Sequence, residues 1–243
     1  MRLSAGLAAL GLSVAVVLAG CAPPQMMPRA AVARLPLAPL SEAAMAADMA
    51  AASFVAVVQA VEPVAEAMCR ARTAGVSCDF QIVVDDRPGQ PPNAFQTLDR
   101  AGRPVLGFTL ALIADARNAD EIAFVIGHEA AHHLLGHLPM QRQSAAAGAL
   151  VAGIMAQASG AGPAEIRAAQ DLGATVGART YSKDFELEAD ALGTEITMLA
   201  GFDAVRGAGF FDRLPDPGDR FLGSHPPNAQ RRAVVRRAAA MMR

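Results

Sequence analysis

The stretch GHEAAHHLLGH, residues 127–137, holds four of the chain's five histidines and one glutamate. Upstream, Asn118 with Glu121 three positions later forms a capping-box start, and Asp120 and Glu121 suit the positive end of a helix. The run IAFVI carries that helix forward, and the pattern reads as helix through His137. At 3.6 residues per turn His128 and His132 stand one turn apart on one face, so both imidazoles reach a single ion. Glu129 lies about 100° round the helix, close enough to meet a metal-bound water without entering the coordination sphere. His133 and His137 are rotated by about 140° and 180° from His128. They cannot join the same ion and read as surface or internally satisfied histidines.

An HExxH string of this kind needs a third ligand. Zinc in a hydrolytic site takes three protein ligands and keeps one position open, and two histidines with a glutamate are an established set. Downstream lies YSKDFELEADALG, residues 181–193. Asp190 follows Glu186 by four residues, on the same helical face, whereas Leu192 follows Glu188. Glu186 is the expected ligand and Asp190 the carboxylate that holds a ligand histidine by its other ring nitrogen. Glu188 points to the opposite face and reads as solvated.

The ordered set FVIG-His128-Glu129-Ala130-Ala131-His132 with His137, then YSKDFELEADALG, then SHPPNAQRR (residues 224–232) resembles the HtpX-, Oma- and CAAX-prenyl-protease-type metallopeptidases. These are metallopeptidase family 48 of the gluzincins, and the resemblance runs from about Asp79 to Arg232. Lys183 after Ser182 departs from the family's serine-arginine, and Arg232 stands where an apolar residue often follows. The segment PPNAFQTLD, residues 91–99, looks like the family's strand beside the cleft. The resemblance implies an α+β, mostly helical fold: a zincin-like core with a small sheet beside the HExxH helix. The chain resembles the periplasmic, lipoprotein-type branch.

The expected chemistry follows from that set. One zinc ion per chain, held by His128, His132 and Glu186, would lower the pKa of its water, and Glu129 would take the proton as the water attacks a peptide carbonyl. His225 and Arg231 are candidates for stabilising the oxyanion. The alternatives stay open: His225 capping the last helix or reaching the zinc in a latent state, and Arg231 pairing with a structural carboxylate. Substrate would add as an extra strand near Ala94–Phe108, a mode largely indifferent to side chains. Unfolded or misassembled cell-envelope proteins are the expected partners. The competing reading is a metal-stabilised, chaperone-like or binding lipoprotein with latent or absent proteolysis. Glu129 argues for the enzyme, since a purely structural site needs no base.

The rest of the chain places this domain in the cell. Over 243 residues with a net charge of -2, nothing favours a nucleic-acid partner. Hydrophobic residues make up 53%, and two stretches account for much of that. Residues 1–20 read as a signal peptide: Arg2, an apolar run from Leu7 to Leu18 and a small-residue exit. Leu18-Ala19-Gly20-Cys21 resembles a bacterial lipobox with Cys21 as the lipidation site, and Ala22 favours the periplasmic face of the outer membrane. Residues 21–40 are then a lipidated, proline- and alanine-rich tether, and 41–243 the zinc metallopeptidase domain. The second stretch, residues 145–162, is too short to span a bilayer and reads as a small-residue helix packed on a neighbour, with a monotopic or substrate-contacting hairpin as the alternative. Cys69 and Cys78 are expected to pair in an oxidising compartment, two buried thiols being the other reading. Pro63 is expected to restart a second helix after residues 41–60.

Overall fold

The computed structural model describes residues 42–216, 218 and 225–242. The expected signal peptide (residues 1–20), lipidation site Cys21 and tether (21–40) lie outside the described residues. The fold is α+β and mostly helical, with one three-stranded sheet.

Helix α1 (Glu42–Arg72) opens the domain. Phe54, Val57, Val61, Ala65 and Met68 recur every three or four residues along it and are all buried. That stripe continues on both sides of Pro63, which therefore sits inside one unbroken helix and does not restart a second. By length and composition, Met45–Arg72 is long and apolar enough to cross a membrane, the one such helix among the described residues. Its buried stripe belongs to the common core.

Strand β1 (Gln81–Asp85) pairs parallel to β3 (Pro104–Thr109), and β2 (Ala94–Leu98) pairs antiparallel to β3. The order β1-β3-β2 leaves β2 on an edge. Phe95 faces Gly107 across the ladder, and its ring occupies the space that a Cβ at 107 would need. Asp99 closes the β2–β3 turn by accepting from the backbone N–H groups of Ala101 and Arg103. Leu106 and Phe108 of β3 are buried in the core.

After a short α2 (Leu110–Asp115), helix α3 (Ala119–Leu134) runs through the centre. Asn118 caps it, its side chain accepting from the Glu121 N–H at 3.1 Å. Twelve of its residues, Asp120 to Ala131, are buried. The helix ends earlier than its periodicity predicts. Leu135 is the C-cap, and Gly136 adopts a left-handed conformation (φ 69°) that ends the helix, so His137 begins a new one, α4 (His137–Ala158).

Helix α4 returns antiparallel as α5 (Pro163–Thr180), and the 145–162 stretch forms most of the first arm and the tip. Helix α6 (Ser182–Leu199) then crosses α3 at two glycines. A Cβ on Gly127 would stand 2.8 Å from the Gly193 carbonyl oxygen, and one on Gly193 2.8 Å from the His128 nitrogen. Only glycine permits this approach, and it lays the face of α6 that carries Glu186 and Asp190 against His128. A short α7 (Ala204–Gly207), a 3-10 turn (Ala208–Asp212) and α8 (Asn228–Met241) complete the fold, with α8 packed on α6.

Candidate metal centre and cleft

His128 and His132 project from the buried face of α3, and Glu186 reaches them from α6. His128 Nε2 lies 3.1 Å from His132 Nε2. One Glu186 oxygen is 3.5 Å from His128 Nε2, and the other is 3.4 Å from His132 Nε2. Tetrahedral coordination with bonds of about 2.0–2.1 Å requires donor–donor edges of roughly 3.3–3.4 Å. One ligand atom from each of these three residues lies within 4.8 Å of the other two, close enough for one metal ion.

The second nitrogen of each ring is also engaged. His128 Nδ1 lies 3.0 Å from Asp190 Oδ1, and His132 Nδ1 lies 2.9 Å from His137 Nδ1. Each imidazole is thus fixed in orientation with Nε2 turned to the common point. The profile of peptidase family M48 matches residues 45–239, which include both helices of this centre. The chain belongs to peptidase family M48.

A Vibrio cholerae O1 protein named as a beta-barrel assembly-enhancing protease is 36% identical over 123 residues, 48% of this chain and 25% of that relative. The chain therefore matches a quarter of the relative's length. No solved structure gives a significant match.

Around His128, His132 and Glu186 the candidate site is densely charged. Arg231, buried on α8, donates from Nε and Nη2 to the two Asp190 oxygens at 2.8 and 2.7 Å, and its guanidinium stacks on Phe211 at 3.9 Å. The same Nη2 is 3.3 Å from Glu186 Oε2. His225 is half exposed, with Nδ1 3.1 Å from that oxygen. Burial opposes charge on both carboxylates, but the imidazoles and, for Asp190, Arg231 outweigh it and hold Glu186 and Asp190 below their ordinary range. Burial likewise opposes charge on His128, yet Asp190 and Glu186 lift it to about 10. Burial, reinforced by Glu186 against the neighbouring cations, raises Glu129 to about 7.

Two cavities of about 250 and 260 Å³ meet at this point, and Glu129, His132, Glu186 and His225 line both. Asn93 and Ala94 border one and Gln96 the other, so the edge strand β2 runs beside the centre.

His137, expected as a surface or internally satisfied histidine, is buried and satisfied, and Glu188, expected as solvated, is its exposed partner. The bend at Gly136 turns His137 back beneath His132, and its Nε2 is 3.1 Å from Glu188 Oε2. Phe185 stacks on the His137 ring at 4.4 Å, 13° from parallel. Burial and His132 hold His137 neutral, down to about 4. Glu188 is exposed, yet it belongs to the chain Glu188–His137–His132. Gly136 was the available signal: a glycine one residue past a helical run is a stop, not a continuation. His133, by contrast, faces the other way and lies 2.7 Å from the Ser77 carbonyl oxygen, in the loop closed by the Cys69–Cys78 disulfide.

Proposed function

We propose that the chain is a zinc-dependent endopeptidase that hydrolyses unfolded or misassembled cell-envelope proteins. The observation that carries this reading is the convergence of His128, His132 and Glu186 within reach of one ion, with Glu129 next to His128 on the same helix. Zinc bound by those three residues supplies a Lewis acid and an acidified water at neutral pH. Glu129 accepts the proton of the attacking water at its carboxylate and returns it to the leaving amine. His225, on the open side of the cleft, donates to the carbonyl oxygen as charge develops there. Arg231 faces the same site but has Asp190 as its bidentate partner. Its role is to fix Asp190 and Glu186, through which it positions His128. The substrate backbone adds to the free edge of β2, next to the ligands.

Envelope location rests on the signal-like residues 1–20 and the lipobox string ending at Cys21, which would anchor the domain by lipid at the periplasmic face of the outer membrane. The relative's name, a beta-barrel assembly-enhancing protease, supports β-barrel precursors as a substrate class. One observation favours the competing reading of a latent, binding lipoprotein: His225 rests against the ligand Glu186.

The test is cleavage of an unfolded outer-membrane β-barrel by the zinc-loaded protein and by Glu129→Gln. Glu129→Gln should retain one zinc per chain and lose roughly 10²–10⁴-fold in rate. If the zinc-loaded wild type and His225→Ala both fail to cut, the binding-protein reading wins.

A further inference from the structure

The α4–α5 hairpin is held together by glycines and not by a core. A Cβ at Gly148 would stand 2.2 Å from the Gly173 carbonyl oxygen, and one at Gly177 2.1 Å from that of Ser144. The two backbones therefore touch. No residue of α5 is buried, and α4 buries only His137 and Gly153. Above this glycine floor lies a groove of about 790 Å³. Its walls include Val151, Met155, Leu172 and Val176, exposed by 56%, 65%, 66% and 39%. No charged residue occurs from Gln143 to Ala164. So much exposed apolar surface in one concavity marks a binding surface.

The groove begins next to the cleft, and α4 lines both. Gln143 and Tyr181 line its near end, while Gln141 and Ser182 line the cleft. Gln141, Ser144, Gly148, Ala152 and Met155 recur every three or four residues, so they form one stripe along α4. The Tyr181 ring is 6.2 Å from Phe185, which stacks on His137 at the metal centre. Polar groups, Gln143, Ser144, Thr180 and Tyr181, gather at the near end, and the far end is apolar. From Gln141 to Met155 the helix rises about 21 Å, a length an extended chain covers in about six residues.

We propose that this groove docks an apolar segment of the polypeptide substrate, within about six residues of the bond being cut. The proposal rests on the peptidase reading above and names its substrate class: chains with an apolar run beside the scissile bond, as unfolded proteins expose. A bilayer is the poorer occupant, because α5 starts with Glu165 and Arg167 at the tip and insertion would carry both into hydrocarbon.

The test uses two peptides with one cleavage sequence, a short one filling only the cleft and a long one extended by six residues with an apolar run. Leu172→Asp and Val151→Asp sit on the exposed surface, and far-UV circular dichroism checks their fold. Each should lower the long-to-short ratio of kcat/KM by about tenfold, through KM. An unchanged ratio overturns the proposal. Fluorescence anisotropy of the labelled long peptide with zinc-loaded Glu129→Gln reads docking without cleavage, and adding Leu172→Asp should weaken that binding about tenfold. Groove-dependent binding with no cleavage by the wild type would sink the peptidase reading and leave the docking site standing. Cleavage indifferent to Leu172→Asp would do the reverse. Loss of flotation with phosphatidylethanolamine–phosphatidylglycerol vesicles, or of a dimer in sedimentation equilibrium, at an unchanged ratio would assign the groove to a membrane or a second copy and overturn the proposal.

Discussion

His132 Nδ1 and His137 Nδ1 lie 2.9 Å apart although a helix break separates them. That break makes the contact possible, because Gly136 in the left-handed region returns the chain towards the face it has just left. His137, kept neutral, accepts from His132 at Nδ1 and donates from Nε2 to Glu188. The resulting chain fixes the orientation of the His132 ring, with Nε2 turned towards His128 and Glu186.

Replacement of His137 by Phe retains an aromatic ring for Phe185 and removes the acceptor. Zinc affinity, titrated against a chromophoric chelator, should fall about 10- to 100-fold. Glu188→Gln keeps a hydrogen-bond acceptor and should cost less. Unaltered affinity in His137→Phe would show that the contact does not orient His132.

Gly193 sets the crossing of α3 and α6, and its missing side chain leaves room for the His128 backbone. Gly193→Ala places a Cβ 2.8 Å from His128 N and 2.9 Å from its Cα, both backbone atoms that cannot rotate away. Urea unfolding should show a loss of about 1–3 kcal/mol together with weaker zinc binding. Gly209→Ala, whose Cβ meets nothing within 4 Å, is the control and should change neither.

Arg213 ties the start of α3 to the 3-10 turn by donating to both Glu121 oxygens at 2.8 and 2.7 Å. Burial opposes the Glu121 charge, but Arg213 and the Arg117 N–H outweigh it and keep the carboxyl below its ordinary 4.5. The folded pKa is the lower one, so this stabilisation is fully present above about pH 4.5 and fades as pH falls through the folded value. Arg213→Met should cost about 1.5–3 kcal/mol at pH 7. It should also flatten this acid-sensitive part of the stability profile. A parallel downward shift at every pH would contradict the assignment.

The Cys69–Cys78 disulfide closes a short loop whose Ser77 carbonyl meets His133 on α3. Dithiothreitol should lower stability by roughly 2–3 kcal/mol. If the urea midpoint does not move, the crosslink contributes nothing to the folded state.

Much of this was legible in the sequence because it depends on local period. The four-residue spacings of His128 with His132 and of Glu186 with Asp190 place each pair on one face without knowledge of the tertiary fold. What the sequence hid depends on where elements stop and how they meet. Pro63 reads as a boundary, but the buried stripe on both sides of it holds α1 in one piece. His137 reads as the far face of one helix, and a single left-handed glycine places it beneath His132. The parallel pairing of β1 with β3, and the glycine contacts that bring α6 to α3, are long-range arrangements that no local pattern specifies.

The central claim is that His128, His132 and Glu186 hold one metal ion. An anomalous difference map at the zinc edge, from crystals of the zinc-loaded protein, should show one peak about 2.0–2.2 Å from His128 Nε2, His132 Nε2 and a Glu186 oxygen, with His137 and Glu188 uncoordinated. A peak coordinated by His137 or Glu188, or no peak between α3 and α6, would contradict it.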